Sequence, residues 1–450
     1  MKSSMKRASA QISCGLKIAG RPEHFVDSAP EPETVASAPE RIPLLKARLL
    51  KSKGDRVRIG TPLYEDKQNT DIVFAAPGAG EIQDIVYGPR RVIREIVIRL
   101  DKEQTTEDFT PYPADKLGRL NAGALKEILL KGGVWPLIRD LVYRKVADPG
   151  QSPAAIWIAA TNQDPFHPPP DTWLQSPEDK RFFQTGIKAL EILCSNVFVC
   201  CAKDASLGDE QIESRVTHRV SGGYPFDDPA VVHYHAKTRP EDNHAWFAGG
   251  QDVRLLGEFL ETGRFPVRRT VAVSGKSVHG RYRHTRIGAP LGILADPGES
   301  SGCRWIAGGL FRGYSSGPDF HLGLYETAVG IITESAKREM LGFMRPGWNK
   351  PTCSRTFLSV FNPRPLPVDA DMHGSGRACV NCGNCTRACP VNILPQFTYK
   401  CIRAGEIEEA LSHGMLDCVE CGLCSYVCPS KIELCQTFQE TKQAYFRQRI

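Results

Sequence analysis

The run Cys379-Val380-Asn381-Cys382-Gly383-Asn384-Cys385-Thr386-Arg387-Ala388-Cys389-Pro390 recurs 39 residues later as Cys418-Val419-Glu420-Cys421-Gly422-Leu423-Cys424-Ser425-Tyr426-Val427-Cys428-Pro429. Three thiolates on a short loop can each bind one iron of a cubane, and the fourth, beyond the turn and followed by proline, ligates the other cluster. The spacing therefore assigns Cys379, Cys382, Cys385 and Cys428 to one [4Fe–4S] cluster, and Cys418, Cys421, Cys424 and Cys389 to a second. Two C-x2-C pairs would also satisfy tetrahedral zinc. A zinc ribbon, however, has no use for a third cysteine at the same spacing or for a proline after the fourth. The pattern reads as two clusters, and the chain as an electron carrier.

Composition sets the remaining bounds. The 450 residues suffice for about three domains. Hydrophobic content of 41% and charged content of 24% are those of a globular protein. The formal charge is +6, and two oxidised clusters at about −2 each leave about +2. That is no footprint for nucleic acid. No stretch approaches about 18 consecutive apolar residues, so no membrane span is expected. Met1 to Ala10 is basic, but no apolar core of a signal peptide follows it. Sixteen cysteines without an export signal fit a reducing compartment and metal ligation better than disulfides. Most of the eight outside the motifs (Cys14, Cys194, Cys200, Cys201, Cys303, Cys353, Cys401 and Cys435) read as buried thiols acting as small hydrophobes.

The patterning predicts an α/β multidomain chain. Residues 22–43, rich in Pro, Ala and Glu, read as a linker. Short β runs between Leu44 and Leu100, punctuated by Pro77-Gly78, Gly80 and Gly88-Pro89, suit a small barrel or sandwich. Ala155–Ala160, the helical spacing of Phe182, Ile187, Leu190 and Leu193, and the run Val197–Cys201 make a βαβ unit. Asp252–Glu261 reads as an amphipathic helix capped by Gly263. Strands are predicted at Thr270–Ser274, Gly288–Leu294 and Trp305–Phe311. In the C-terminal part, a helix over Gly405–His413 and a closing helix with Leu434, Phe438, Thr441 and Tyr445 on one face join the two cysteine loops. Gly383 and Gly422 let amides approach sulfur, and Ile393, Leu394, Ile432 and Leu434 are placed to shield the clusters.

Several stretches resemble the NqrA subunit of the Na+-translocating NADH:quinone oxidoreductase: Gly15–Glu23, Gly54-Asp55 through Glu65-Asp66-Lys67, Asn162-x-Asp164-Pro165, Ser221-Gly222-Gly223-x-Pro225, His233-x-His235, Gln251-Asp252-Val253 and Gly347–Lys350. The resemblance implies residues 1–43 as N-terminal segment, 44–110 as a barrel-sandwich hybrid similar to the lipoyl/biotinyl hammerhead, and 111–265 as a Rossmann-like α/β domain. It further implies 266–362 as a β-grasp-like domain and connector, with 363–450 as the helical ferredoxin domain. It also implies a peripheral protein on the cytoplasmic face of the cytoplasmic membrane, docked on membrane subunits, with a quinone near that interface. The eight cluster cysteines depart from NqrA and resemble the RnfC component of the Rnf-type ferredoxin:NAD+ oxidoreductase. Which of the two complexes the chain serves stays open.

Other readings are weaker. Lys131-Gly132-Gly133-Val134-Trp135-Pro136 is a poor phosphate cradle, so neither FMN nor NADH binding by this chain is expected. His218, His233, His235 and His244 suggest a metal site, with His233-x-His235 on a strand, but no partner is spaced to close it and a surface pair is expected. Lys67 matches the carrier lysine of the hammerhead. The polar run Gln68–Asp71 after it reads as a loop, so a lipoyl or biotin arm is not expected. A purely structural component, stapled by its clusters, is a further class that sequence leaves open.

Overall fold

The computed structural model describes residues 8–12, 26–161, 167–237, 244–274, 280–295, 302–334, 344, 346–348, 358–362, 370 and 376–449. Its centre is a six-stranded sheet in the order Ala8–Ile12, Val216–Gly222, Val197–Ala202, Ala155–Ala159, Ala245–Gly249, Arg139–Asp140. The first five strands are parallel and the last is antiparallel. Strands covered on both faces read as continuous apolar runs. Ile156 and Ile158 accordingly enter one core, and Ala155 and Trp157 the other.

Helices Pro177–Leu193 and Gly250–Thr262 cover the first face. Ser176 and Asp179 form a capping box at the start of the former, with Asp179 N–H donating to Ser176 Oγ at 3.0 Å. Gly263, at φ 64°, caps the latter as expected. The buried aromatic of the longer helix is Phe183, fully enclosed, whereas Phe182 is half-buried. The two helices meet backbone to backbone. A methyl group on Gly186 would stand 2.0 Å from the Val253 carbonyl oxygen, and one on Gly257 1.8 Å from that of Phe182.

The barrel-sandwich pairs a four-stranded sheet (Thr34–Ser37, Ile93–Leu100, Gly80–Tyr87, Arg56–Val57) with a three-stranded one (Ala47–Leu49, Pro62–Asp66, Asn69–Ala75). Leu63, Tyr64, Phe74, Ile82, Ile96 and Ile98 fill it, with the Tyr64 and Phe74 rings stacked at 4.6 Å. Gln68–Asp71 is not the expected loop. The strand Asn69–Ala75 starts directly after a two-residue turn, which Asp66 Oδ1 closes by accepting from Gln68 N–H at 3.0 Å. Lys67 is thus an exposed residue at a hairpin tip. The run looked loop-like because its Asn and Asp residues face solvent at the strand's outer end.

A third sheet runs Tyr314–Ser316, Cys303–Ala307, Ala328–Thr333, Arg268–Ser274, Arg281–Arg286, Val26–Ser28. Gly288–Leu294 is not a strand. Gly288 takes φ 80° and Leu291–Leu294 forms a helical turn that buries Leu291 and Leu294. The strand lies instead at Arg281–Arg286, whose sequence Arg-Tyr-Arg-His-Thr-Arg buries Arg283 and Arg286 and so carries no apolar alternation. Of the expected linker 22–43, the described stretch 26–43 is not free either. The N-terminal segment gives an edge strand to three of the four sheets: Ala8–Ile12, Val26–Ser28 and Thr34–Ser37.

The C-terminal region is helical: Asn384–Ala388, Pro395–Ala404, Ile407–Ser412, Leu423–Tyr426 and Leu434–Arg449. Gly405 is not inside a helix but is a left-handed cap between two of them, at φ 82°. On the closing helix Leu434, Phe438 and Lys442 are buried, so a lysine takes the place expected of Thr441 and Tyr445.

The glycine contact between helices yields a prediction. Gly257→Ala forces a methyl into a backbone oxygen and costs about 1–3 kcal/mol, seen as a lower thermal midpoint by circular dichroism. The exposed Gly118→Ala, whose added methyl meets nothing within 4 Å, should leave the midpoint in place.

Candidate iron–sulfur centres

The two cysteine loops share one backbone design. Asn381 and Gly383 in the first take φ 54° and 74°, and Glu420 and Gly422 in the second take 56° and 78°. Asn392 and Lys431, at 52° and 54°, repeat the match beyond the fourth cysteine. Left-handed residues in such turns point successive N–H groups into one concavity, the arrangement that cradles anions and many iron–sulfur sites. Each loop then runs into a short helix, Asn384–Ala388 or Leu423–Tyr426. Gly422 is required twice, by its φ and because a methyl there would stand 2.6 Å from the Phe311 carbonyl oxygen.

Cys379, Cys382, Cys385 and Cys428 line one pocket, together with Gln396, Ile432 and Leu434. Cys389 lies with the other loop. Burial raises the Cys424 thiol well above its ordinary range, and Cys418, Cys435, Cys421 and Cys389 add to it as neighbouring thiols. Burial likewise pushes Cys421 up to about 12, with Cys418 and Cys389 among its neighbours. Each remote cysteine therefore stands with the opposite loop. Thiols so buried ionise only against a cation, which a metal centre supplies. Among the described residues no three His, Cys, Asp or Glu side chains converge on a point that a single ion could fill. The donor set, the inward-turned loops and the apolar wall fit a cubane, whose four irons each take one thiolate. Of the expected shields, Ile393 and Leu434 are buried, whereas Leu394 is 37% exposed. Cys435, a ninth cysteine, is buried beside the second loop, where burial first and then Cys418 and Cys421 hold its thiol high. Cys194, Cys200 and Cys201 are buried, Cys303 and Cys401 half-buried. Cys14 and Cys353 lie outside the described residues.

The second loop is clamped by the rest of the molecule. Ala388, Cys389, Val391, Ile393, Val419, Cys421, Leu423 and Val427 share a core with Trp157, Cys200, Val220, Tyr224 and Phe247 of the α/β unit. Tyr224 O–H donates to the Cys421 carbonyl at 3.0 Å, and His235 Nε2–H to that of Pro390 at 2.8 Å. Arg144 and Arg312 both reach the Val419 carbonyl at 3.4 Å and share Asp228 at 2.9 and 2.6 Å. Burial pushes the Asp228 carboxyl up, but the two guanidiniums more than offset it and hold it well below the usual range. Lys442, buried on the closing helix, donates to the Cys418 carbonyl at 3.0 Å and pairs with Glu420 at 2.6 Å.

The histidines form no set. His233 and His235 lie on the helix Pro229–Ala236, not on a strand, and serve different ends. His233 is not a surface residue but is buried, its Nδ1 accepting from Trp157 Nε1 at 3.1 Å. His218 is buried against Trp157 and Phe198, and burial lowers its pKa. His244 is exposed.

The glycine pair Gly132-Gly133 is used for packing. A methyl at Gly132 would enter the Phe259 ring at 2.0 Å, and one at Gly133 would stand 2.8 Å from Ala75 Cβ. A cavity of about 330 Å³ does open at the carboxyl ends of strands Ala155–Ala159 and Ala245–Gly249, reaching Val419. This is the crevice where open α/β sheets take ligands. At the helix end facing it, Asp252 accepts from Gly249 N–H at 3.1 Å and pairs with Arg269 at 2.6 Å.

These features define a multidomain α/β protein with a barrel-sandwich and a helical dicluster ferredoxin module. Residues 11–101 match the NqrA N-terminal barrel-sandwich hybrid domain, 120–265 the NqrA second alpha/beta domain, and 378–432 a 4Fe-4S dicluster domain. The NqrA component of the Na(+)-translocating NADH-quinone reductase of Pseudomonas aeruginosa is 32% identical over 409 residues, covering 89% of this chain and 90% of that one. The corresponding protein of Cellvibrio japonicus is 31% identical over 407 residues with the same coverage. The chain belongs to this NqrA family, and it carries a dicluster module at its C-terminus. An NAD+-reducing [NiFe]-hydrogenase chain superposes over 77% of this chain and 72% of its own at 10% identity, with a TM-score of only 0.37.

Sequence reasoning missed Tyr224, Arg144 and Lys442, and it read His235 as half of a surface histidine pair and not as a clamp on the Pro390 carbonyl. Of the three missed residues only Tyr224 carried a signal, standing in the Ser221-Gly222-Gly223-x-Pro225 run before a cis proline. Tyr224→Phe leaves the buried Cys421 carbonyl without its donor, at a cost of about 0.5–1.5 kcal/mol. The expected result is faster chelator-driven iron loss from the second centre, followed by absorbance, with the first centre unchanged.

Proposed function

We propose that this chain is a peripheral electron-transfer component of a membrane-bound, sodium-translocating NADH:quinone reductase. The observation that carries the proposal is the placement of eight motif thiols in two crossed sets on a chain of the NqrA family. Cys379, Cys382, Cys385 and Cys428 hold one [4Fe–4S] cluster, and Cys418, Cys421, Cys424 and Cys389 the other. When bound, the clusters supply one-electron transfer. The chain's own residues fix the ligands, exclude water through Ile393, Leu423 and Leu434, and neutralise charge through Lys442 and Arg144. No helix among the described residues is long and apolar enough to cross a membrane. We place the chain on the cytoplasmic face of the membrane, held by partner subunits, with a quinone near that contact. The packing of Phe259 and Ala75 against Gly132-Gly133 supports a chain that binds neither FMN nor NADH itself. We read residues 44–110, 111–265, 266–362 and 363–450 as successive domains. On this reading the α/β unit is Rossmann-like and the third sheet β-grasp-like, with the 1–43 segment stitched across them.

The dicluster module favours a second reading, as the RnfC component of an Rnf-type complex. Which donor the assembled complex accepts, NADH or reduced ferredoxin, separates the two.

The anaerobically purified chain should contain about eight Fe and eight acid-labile sulfides; zinc in their place would overturn the reading. Cys389→Ser should remove the paramagnetic resonance of the second cluster and Cys428→Ser that of the first. An assembled complex that lacks one signal yet keeps full quinone reductase activity would show that the clusters are staples and not a relay.

A further inference from the structure

At the residue before the second cysteine, the two halves of the dicluster repeat differ in a charged contact. In the first loop the residue before the second cysteine is Asn381, exposed and neutral, and exposed Lys400 reaches its Oδ1 only at 3.5 Å. In the second loop the same position is Glu420, and the side chain of Lys442 that meets it at 2.6 Å is 2% exposed. Lys442 also donates to the carbonyl of Cys418, the first thiol residue of that loop. A buried ammonium anchored on a ligand's own backbone is weakly screened, and such a charge acts strongly on its surroundings. Glu420, at 16% exposure, sees more water and shares its other oxygen with Gln439 Nε2 at 3.4 Å.

Resting on the cluster reading above, we infer that the Lys442–Glu420 pair sets the reduction potential of the second cluster apart from that of the first, with Lys442 raising it and Glu420 opposing. One-electron reduction adds one negative charge to a four-thiolate cubane and takes up no proton in this scheme, so a nearby cation favours the reduced form and a carboxylate disfavours it. Lys442 is a positioning residue here, since it bonds the Cys418 backbone and not the metal.

The test is an anaerobic redox titration of the full-length chain with dithionite as reductant, followed by paramagnetic resonance. The two signals are assigned through Cys389→Ser and Cys428→Ser. Lys442→Met should lower the reduced-to-oxidised ratio of the second cluster about tenfold at fixed potential, equivalent to about 59 mV for a one-electron couple. Glu420→Gln should shift it the opposite way, Lys442→Arg should stay near wild type, and the first cluster should not move in any of them. A merely structural role predicts equal shifts in both clusters, shifts of one sign in both variants, or none, and any of these overturns the inference. If Lys442→Met fails to hold its second cluster, Glu420→Gln decides alone: an upward shift confined to that cluster sustains the inference, and an unmoved potential sinks it. Absence of iron from the wild-type chain would overturn the cluster reading itself, and this inference with it. Iron present with unmoved potentials overturns only the inference.

Discussion

The arrangement depends on one apolar contact, the core that the second cysteine loop shares with the α/β sheet. Trp157, Val220 and Phe247 present the second face of the parallel sheet, which must be buried. The short helix Pro229–Ala236 covers part of it with Val231 and Val232. The rest of the layer is supplied by Ala388, Val391, Val419, Leu423 and Val427, residues interleaved with the motif cysteines themselves. The ferredoxin module completes that layer, so the fold of the sheet and the geometry of the second set of thiols are one problem. The polar bonds from Tyr224, His235, Arg144 and Lys237 to the carbonyls and to Asp417 of this region fix its register once the apolar contact is made.

The same economy holds at the N-terminus. A segment with little apolar content gains order by pairing its backbone with three sheet edges in turn. Edge strands with open N–H and C=O groups are a liability, and covering them ties the domains together at the same time. Pro30 and Pro32 fall between the second and third of these strands, where no ladder bond is needed.

What the sequence made legible was local. The Gly263 cap, the helix ending at Leu193 and the apolar runs of the parallel strands each follow from neighbours within one element, and each is found where the pattern placed it. What stayed hidden depends on partners far along the chain. Arg281–Arg286 is a central strand because its guanidiniums find Asp27, Glu31 and the Pro77 carbonyl, which no alternation records. His233 and His235 looked like a strand pair because Val231-Val232 precede them; Asp228 and Pro229 start a helix there instead. Lys442 sat among polar residues of an exposed-looking helix, and only the second loop's carbonyl explains its burial.

The repeat shows how one motif can serve in two settings. Loop geometry is kept to within a few degrees of φ at matching positions, because thiolate placement and inward N–H groups demand it. Everything around the loops is free to diverge, and has done so. The first loop lies open, with Cys382 exposed and Val380 67% exposed. The second is enclosed by the α/β sheet on one side and by Phe311 and Arg312 of the third sheet's connection on the other. On the inference drawn above, water stabilises the added electron at the first loop, and fixed protein charges do so at the second. The buried Lys442 on the closing helix then answers the enclosure of that loop, as the exposed Lys400 beside Asn381 answers the openness of the first.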